Sequence, residues 1–314
     1  MDWQTLILVG GVLVLLATVT AVVHFLRRRA DAGLNTAALE TFGRRVRAWW
    51  LLCAILAAAF YVGKPATVVM FGLISFWALR EYITLTPTRL GDHRALFWVF
   101  FLCTPLQFIL VYMARYELFT VLIPVYAFLL IPTQVALSGD HKRFLERTAK
   151  IQAGLLICVY SLSHAPALLN LKLPGEEGGG GGVRLLFFFV LMVQLSDALQ
   201  YAWAQLPMKH LIAPTINPNK TWEGLLGGSA SVALIGTGLF WATPFPAWMA
   251  AIMAVVIALM GFAGSITMSA IKRDRGVKDY GTLVEGHSGV LDRIDSICFA
   301  APVFYHLTLM WLSR

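Results

Sequence analysis

The residues best suited to chemistry lie close together near the C-terminal end of the sequence. From Lys272 to Asp295 the chain reads Lys-Arg-Asp-Arg-Gly-Val-Lys-Asp-Tyr-Gly-Thr-Leu-Val-Glu-Gly-His-Ser-Gly-Val-Leu-Asp-Arg-Ile-Asp, with five basic residues, five acidic residues and four glycines. Carboxylates hold Mg²⁺, lysine and arginine neutralise phosphate oxygens, and glycine lets backbone approach a phosphate. Interleaved in this way, the three types suit a metal–triphosphate site. A solvated loop needs neither this density of both signs nor Asp292 and Asp295 set against the start of an apolar run.

Two further places interrupt the apolar pattern. Gln194, Ser196, Asp197, Gln200, Tyr201 and Gln205 break an apolar run at about 184–206. Gln194, Asp197, Tyr201 and Gln205 are spaced to share one helix face. An ionisable residue inside a span costs about 2.5–3.5 kcal/mol on the insertion scale, which favours a functional, water-filled cavity over a hydrogen-bonding stripe between helices. The segment from Lys209 to Gly228 carries Pro214 and Pro218, then Asn219 and Thr221 as candidate caps of a following helix. A helix N-terminus beside Lys220 can hold an anion. The same residues could instead anchor the loop at lipid headgroups.

These groups sit in a chain that is otherwise poor in charge. Of its 314 residues, 58% are hydrophobic and 13% charged, and the mean hydropathy is +0.71. A soluble domain carries about 25% charged residues, so too little polar surface remains for a cytosolic enzyme, a disordered chain or a nucleic-acid-binding module. The fold class expected is an all-α polytopic integral membrane protein. Apolar runs fall at about 5–26, 48–62, 66–79, 95–113, 118–137, 151–170, 184–206, 225–241, 247–270 and 297–313, which gives about ten transmembrane helices. The second and third runs are short, separated by Gly63-Lys64-Pro65, and read as a helical hairpin that does not fully cross. Arg27, Arg28 and Arg29 follow the first run rather than precede it, so it reads as a retained anchor and not a signal peptide.

With ten spans, 20 basic residues fall in the odd-numbered loops and 5 in the even loops and tail. That asymmetry places both termini outside and the polar loops in the cytoplasm, in what reads as a bacterial inner membrane. It also accounts for the net charge of +8. Cys53, Cys103, Cys158 and Cys298 all lie in apolar stretches, without disulfide or zinc spacing, and read as small core residues. The glycine-rich stretch at 175–182 lacks a following Lys-Ser/Thr, so it reads as a linker. It divides N-terminal transmembrane helices (1–182) from a C-terminal catalytic region (183–314) within one integrated membrane domain.

The constellation resembles the phosphatidate cytidylyltransferase (CDP-diacylglycerol synthase) family. That family's motif of Ser-x-x-Lys-Arg, four residues, Lys-Asp, Gly-His-Gly-Gly and Asp-Arg-x-Asp is matched by Ser269, Lys272-Arg273, Lys278-Asp279, Gly286-His287-Ser288-Gly289 and Asp292-Arg293-Ile294-Asp295. Upstream, Asn217-Pro218-Asn219-Lys220-Thr221-Trp222-Glu223-Gly224 is similar to Ser-Pro-x-Lys-Thr-x-Glu-Gly, and Asp197 with Tyr201 to Asp-x-x-x-Tyr. The sequence departs from the pattern at Ser265, where the family usually has a metal-binding aspartate, and at Asn217 and Ser288. A hydroxyl is a poorer Mg²⁺ ligand than a carboxylate, which marks a divergent member.

The resemblance implies transfer of cytidylate from CTP to phosphatidate or a related lipid phosphate, giving CDP-diacylglycerol and pyrophosphate. It implies Mg²⁺, with room for a second cation, on Asp292 and Asp295, with Asp279 and Asp197 as helpers. Lys272, Arg273, Lys278 and Lys220 would hold phosphates, Ser269 a phosphate oxygen, and Asn217, Thr221 and Tyr201 would line the substrate. His287 is left a structural role. The partners expected are the two substrates and membrane lipids, without nucleic acid, and with a homodimer as the candidate assembly. The alternatives are a CTP-dependent lipid kinase, a cytidylyltransferase for another lipid, or a catalytically impaired lipid-binding paralogue.

Overall fold

The computed structural model describes residues 57–86, 88–174, 180–206, 210–277, 280 and 289–313, with isolated positions before 57. The chain divides into two compact units, Met1–Thr67 and Val68–Arg314. Among the described residues from 64 onward eight long helices follow: α1 (Lys64–Leu85), α2 (Leu90–Tyr112), α3 (Tyr116–Ala136), α4 (Phe144–Asn170), α5 (Gly181–Trp203), α6 (Trp222–Gly238), α7 (Ala247–Asp274) and α8 (Leu291–Leu312). Among the described residues the extended structure is confined to an isolated antiparallel bridge between Leu211 and Thr221. The protein is therefore all-helical, as its composition requires of a chain that must satisfy its backbone without water.

Seven of these helices are long and apolar enough to cross a bilayer, and α6, at 17 residues, is shorter. The apolar runs at 5–26 and 48–62 lie only in part among the described residues. The third run differs from the sequence expectation of a partial hairpin. It continues through Arg80 and Glu81 to form the 22-residue α1, about 33 Å long and sufficient for a hydrocarbon core of about 30 Å. Two charges near its end made the run look shorter than it is.

Prolines inside the spans are accommodated by widened turns and by hydroxyl donors. In α2 a wide turn over Val99–Cys103 precedes Pro105, and the Thr104 hydroxyl donates to the Val99 carbonyl at 2.9 Å. In α4 a similar turn covers Leu156–Ser161 ahead of Pro166, and Ser75 of α1 donates to the Cys158 carbonyl at 2.7 Å. Each hydroxyl satisfies a carbonyl that an irregular turn would otherwise leave bare in an apolar interior.

Helices α5 to α8 pack in sequence, α5 on α6, α6 on α7 and α7 on α8, while α4 packs on α8 and α5. At one end of the bundle the buried Arg147 of α4 donates to Asp92 of α2 through Nε and Nη2, at 2.9 and 2.7 Å, and through Nη1 to the carbonyls of Asp140 and Lys142. Asp140 also pairs with Arg89 at 3.2 Å. These bonds tie the α1–α2 and α3–α4 connections together. The starts of α2 and α4 share that end with the finish of α1, whose Glu81 reaches the start of α8.

Candidate active site

The C-terminal turn of α7, the N-terminal turn of α8 and the segment before α6 converge at that same end. Lys272 sits in the last turn of α7 because the helix stops just beyond it. Gly276, in left-handed conformation (φ +70°), donates its N–H to the Arg273 carbonyl, and Val277 donates to the Lys272 carbonyl. This is the Schellman stop, a conformation that glycine adopts without steric cost. The sequence reading gave the glycines here to phosphate approach; Gly276 is a helix terminator.

Lys272 Nζ lies 2.6 Å from Asp292 Oδ1 and 5.4 Å from the centre of the Tyr280 ring. Asp292 Oδ2 accepts the backbone N–H groups of Tyr280 and Gly289, at 2.9 and 3.2 Å. The two side chains are only 14% and 9% exposed, so the pair is held largely out of water. Tyr280 is anchored in turn by its hydroxyl, which donates to the Met268 carbonyl at 3.1 Å.

Asp295, one helical turn after Asp292, projects from the same side of α8. It lies within electrostatic range of Asp197 of α5, of Lys220 and of Asp292, and its Oδ1 accepts the Ser296 N–H at 2.7 Å. Gly264 allows this packing, since a Cβ there would sit 2.7 Å from the Asp295 carbonyl oxygen. Ser265 follows directly on α7 and is half-buried.

The segment before α6 is tied to α7 on one side and α5 on the other. Asn217 donates to the Ser269 hydroxyl at 3.1 Å, and Arg273 Nε to the Ile216 carbonyl at 3.2 Å. Lys220 Nζ lies 3.3 Å from Gln200 Oε1 and 5.1 Å from the centre of the Phe262 ring. Gln200 itself donates to Ser196 and to the Ala258 carbonyl. Thr221 caps α6, its hydroxyl accepting the Gly224 N–H at 3.0 Å, so of the two caps expected it is Thr221 that closes the helix.

The structure thus pairs Lys272 with Asp292, sets Asp295 one turn further along α8 where the charges of Asp197 and Lys220 act on it, and links Ser269, Asn217 and Arg273 into one network. Tyr201 lies in the last turn of α5 and is half-buried. Gln205 lies past the end of α5 at Trp203 and so leaves the stripe the spacing suggested. Lys278, Asp279 and His287 lie outside the described residues. Three contributors escaped the sequence reading: Tyr280, Gln200 as the partner of Lys220, and Glu81, whose buried carboxylate accepts the N–H groups of Val290 and Leu291. For Glu81 the signal was a lone acid at the end of an apolar run.

Seven helices among the described residues, long and apolar enough to cross a bilayer, thus carry the Lys272–Asp292 pair and the Lys220 ammonium at one end, groups of the kind that bind phosphate oxygens. The comparisons with known proteins specify the family. The cytidylyltransferase family model matches residues 43–311, and the chain belongs to that family. It is 37% identical over 266 residues to the uncharacterized protein YnbB of Escherichia coli K12, covering 83% of this chain and 85% of that one. It is also 35% identical over 115 residues to the phosphatidate cytidylyltransferase of Staphylococcus haemolyticus, 36% of this chain and 44% of the relative. With the phosphatidate cytidylyltransferase of Synechocystis the figures are 40% over 99 residues, 31% of this chain and 34% of the relative. The likeness to named enzymes therefore spans less than half of their length.

Proposed function

We propose that the protein transfers cytidylate from CTP to phosphatidate at the cytoplasmic face of a bacterial inner membrane, forming CDP-diacylglycerol and pyrophosphate. The observation that carries this reading is the Lys272–Asp292 pair at one end of the bundle, one helical turn from Asp295. The basic loops at that end favour a cytoplasmic placement. Membership of the cytidylyltransferase family and the partial likeness to phosphatidate cytidylyltransferases support the reaction.

A phosphate monoester is mostly dianionic at pH 7, so an oxygen of phosphatidate attacks the α-phosphorus of CTP without a general base. The new bond is phosphatidate oxygen to α-phosphorus; the bond that breaks joins that phosphorus to the oxygen bridging to the β-phosphate, and pyrophosphate leaves with its electron pair. The protein's task is to orient two anions and offset the charge that builds between them. Lys272 exchanges its carboxylate for a phosphate oxygen, and Lys220 and Arg273 offer further positive charge.

The acidic side chains present suit Mg²⁺, which keeps several waters and needs only one or two carboxylates beside substrate phosphates. Asp292 and Asp295 would hold it; among the described residues no group of three or more His, Cys, Asp or Glu is placed to hold a metal ion, so water and substrate phosphates would complete its shell. When bound, the ion supplies charge neutralisation at the α-phosphate and the departing pyrophosphate.

Purified protein incubated with labelled CTP, Mg²⁺ and phosphatidate is expected to yield lipid-linked cytidylate and pyrophosphate in equal amounts. CDP as the nucleotide product would mean attack at the γ-phosphate and a lipid kinase instead. No labelled lipid with any lipid phosphate would end the enzyme reading. A Ser265→Asp variant is expected to reach half-maximal transfer at several-fold lower Mg²⁺, since it adds a carboxylate beside the Gly264–Asp295 contact. An unaltered Mg²⁺ requirement would mean that Asp197 already fills that need.

A further inference from the structure

We propose that Glu81, at the end of α1, is a positioning residue for the Lys272–Asp292 pair, acting through the N-terminus of α8. The proposal rests on the cytidylyltransferase reading of that site. Glu81 is 5% exposed. Its Oε1 accepts the Val290 N–H at 3.0 Å and its Oε2 the Leu291 N–H at 2.8 Å. An acid in the last turn of α1 is disfavoured by the negative end of its own helix dipole, and it is stable there because it meets the positive end of α8. Its two bonds satisfy amides that a helix start cannot satisfy internally.

The consequence falls on Asp292. This residue lies in the first turn of α8, where a carboxylate is drawn to the same amides that Glu81 occupies. With Val290 and Leu291 taken, Asp292 accepts among the described residues from Gly289 and Tyr280 through Oδ2, and Oδ1 stays on Lys272. Without Glu81, two unsatisfied N–H groups beside Asp292 compete with Lys272 for its carboxylate. An element of the N-terminal half thus sets the aim of the catalytic carboxylate, 211 positions further along the chain.

Glu81→Gln tests this, because the amide keeps the shape but turns an NH₂ toward one of the two donors. Measured well below the melting temperature of each variant, kcat is expected to fall about 10–100-fold, as for a residue supporting a metal or phosphate site. Hydrogen exchange of the amides at 289–292 is expected to quicken in step. Val290→Pro reads the same bond from the other side: φ at 290 is −61°, which proline adopts, and the substitution removes the N–H. It should reproduce the loss, and combining both changes should cost little more than either. Arg80→Gln, one residue away, should retain wild-type kcat. Wild-type kcat in Glu81→Gln, or unchanged exchange at 289–292, would overturn the proposal. Wild-type protein inactive toward every lipid phosphate would instead overturn the cytidylyltransferase reading, and the catalytic part of this proposal with it, while exchange still decides the contact.

Discussion

Asp292→Asn is expected to lower the rate of cytidylyl transfer about a hundredfold or more, the scale seen when a preorganised polar group is removed from a charge-stabilising site. The reason lies in both oxygens of the side chain. Oδ1 receives Lys272, and Oδ2 receives two backbone N–H groups. An asparagine has one acceptor oxygen and one NH₂, so whichever way it turns, a donor faces a donor. Either Lys272 loses its anchor or the N–H groups of Tyr280 and Gly289 lose their acceptor. The negative charge that would share the Mg²⁺ is gone in both orientations. Lys272→Met should be similarly impaired, and the double variant should be no worse than either single one, because the two residues act as a unit. The check is kcat in detergent or liposomes alongside the melting temperature of each variant. Wild-type turnover in Asp292→Asn would remove this residue from the chemistry.

How far the sequence made this site legible depends on whether a partner lay nearby along the chain or only in space. Lys272 and Asp292 are 20 residues apart but flank one dense run of charge, so their association could be read from the run itself. Thr221 as a helix cap was legible for the same local reason, a β-branched hydroxyl residue before an apolar helix. Gln200 was visible as an interruption of α5, yet nothing in the spacing tied it to Lys220. Glu81 was the least legible. It ends an apolar run, where charge conventionally marks a span boundary, and its partners are backbone amides that carry no sequence signal at all. The wider turns of α2 and α4 were legible only as prolines; the hydroxyls that relieve them, Thr104 and Ser75, come from positions no periodicity selects. Arg147 illustrates the limit of counting. It entered the topology tally as one more basic residue of a loop, whereas in the fold it is a buried ion-pair partner, 5% exposed.

That buried pair carries the largest expected effect on stability. Arg147→Met keeps most of the side-chain volume but removes the guanidinium, leaving Asp92, 1% exposed, without its bidentate partner. Breaking a buried pair from one side typically costs about 3–5 kcal/mol, because the remaining charge has neither water nor a counter-ion. Two carbonyls, of Asp140 and Lys142, lose a donor at the same time. The melting temperature of Arg147→Met in detergent should therefore fall by several degrees or more, with loss of protein during purification. Asp92→Asn with Arg147→Met should recover much of that loss, since a pair replaced on both sides no longer leaves a bare charge. Activity per folded molecule should change little, because these residues bind the α1–α2 and α3–α4 connections rather than the carboxylates of α8. A single variant as stable as wild type would mean that water reaches Asp92 and the pair is not buried. A double variant worse than the single one would mean that the Asp92 carboxylate, which also accepts the Arg89 N–H at 2.9 Å, is favourable without Arg147 and is not left as a bare charge.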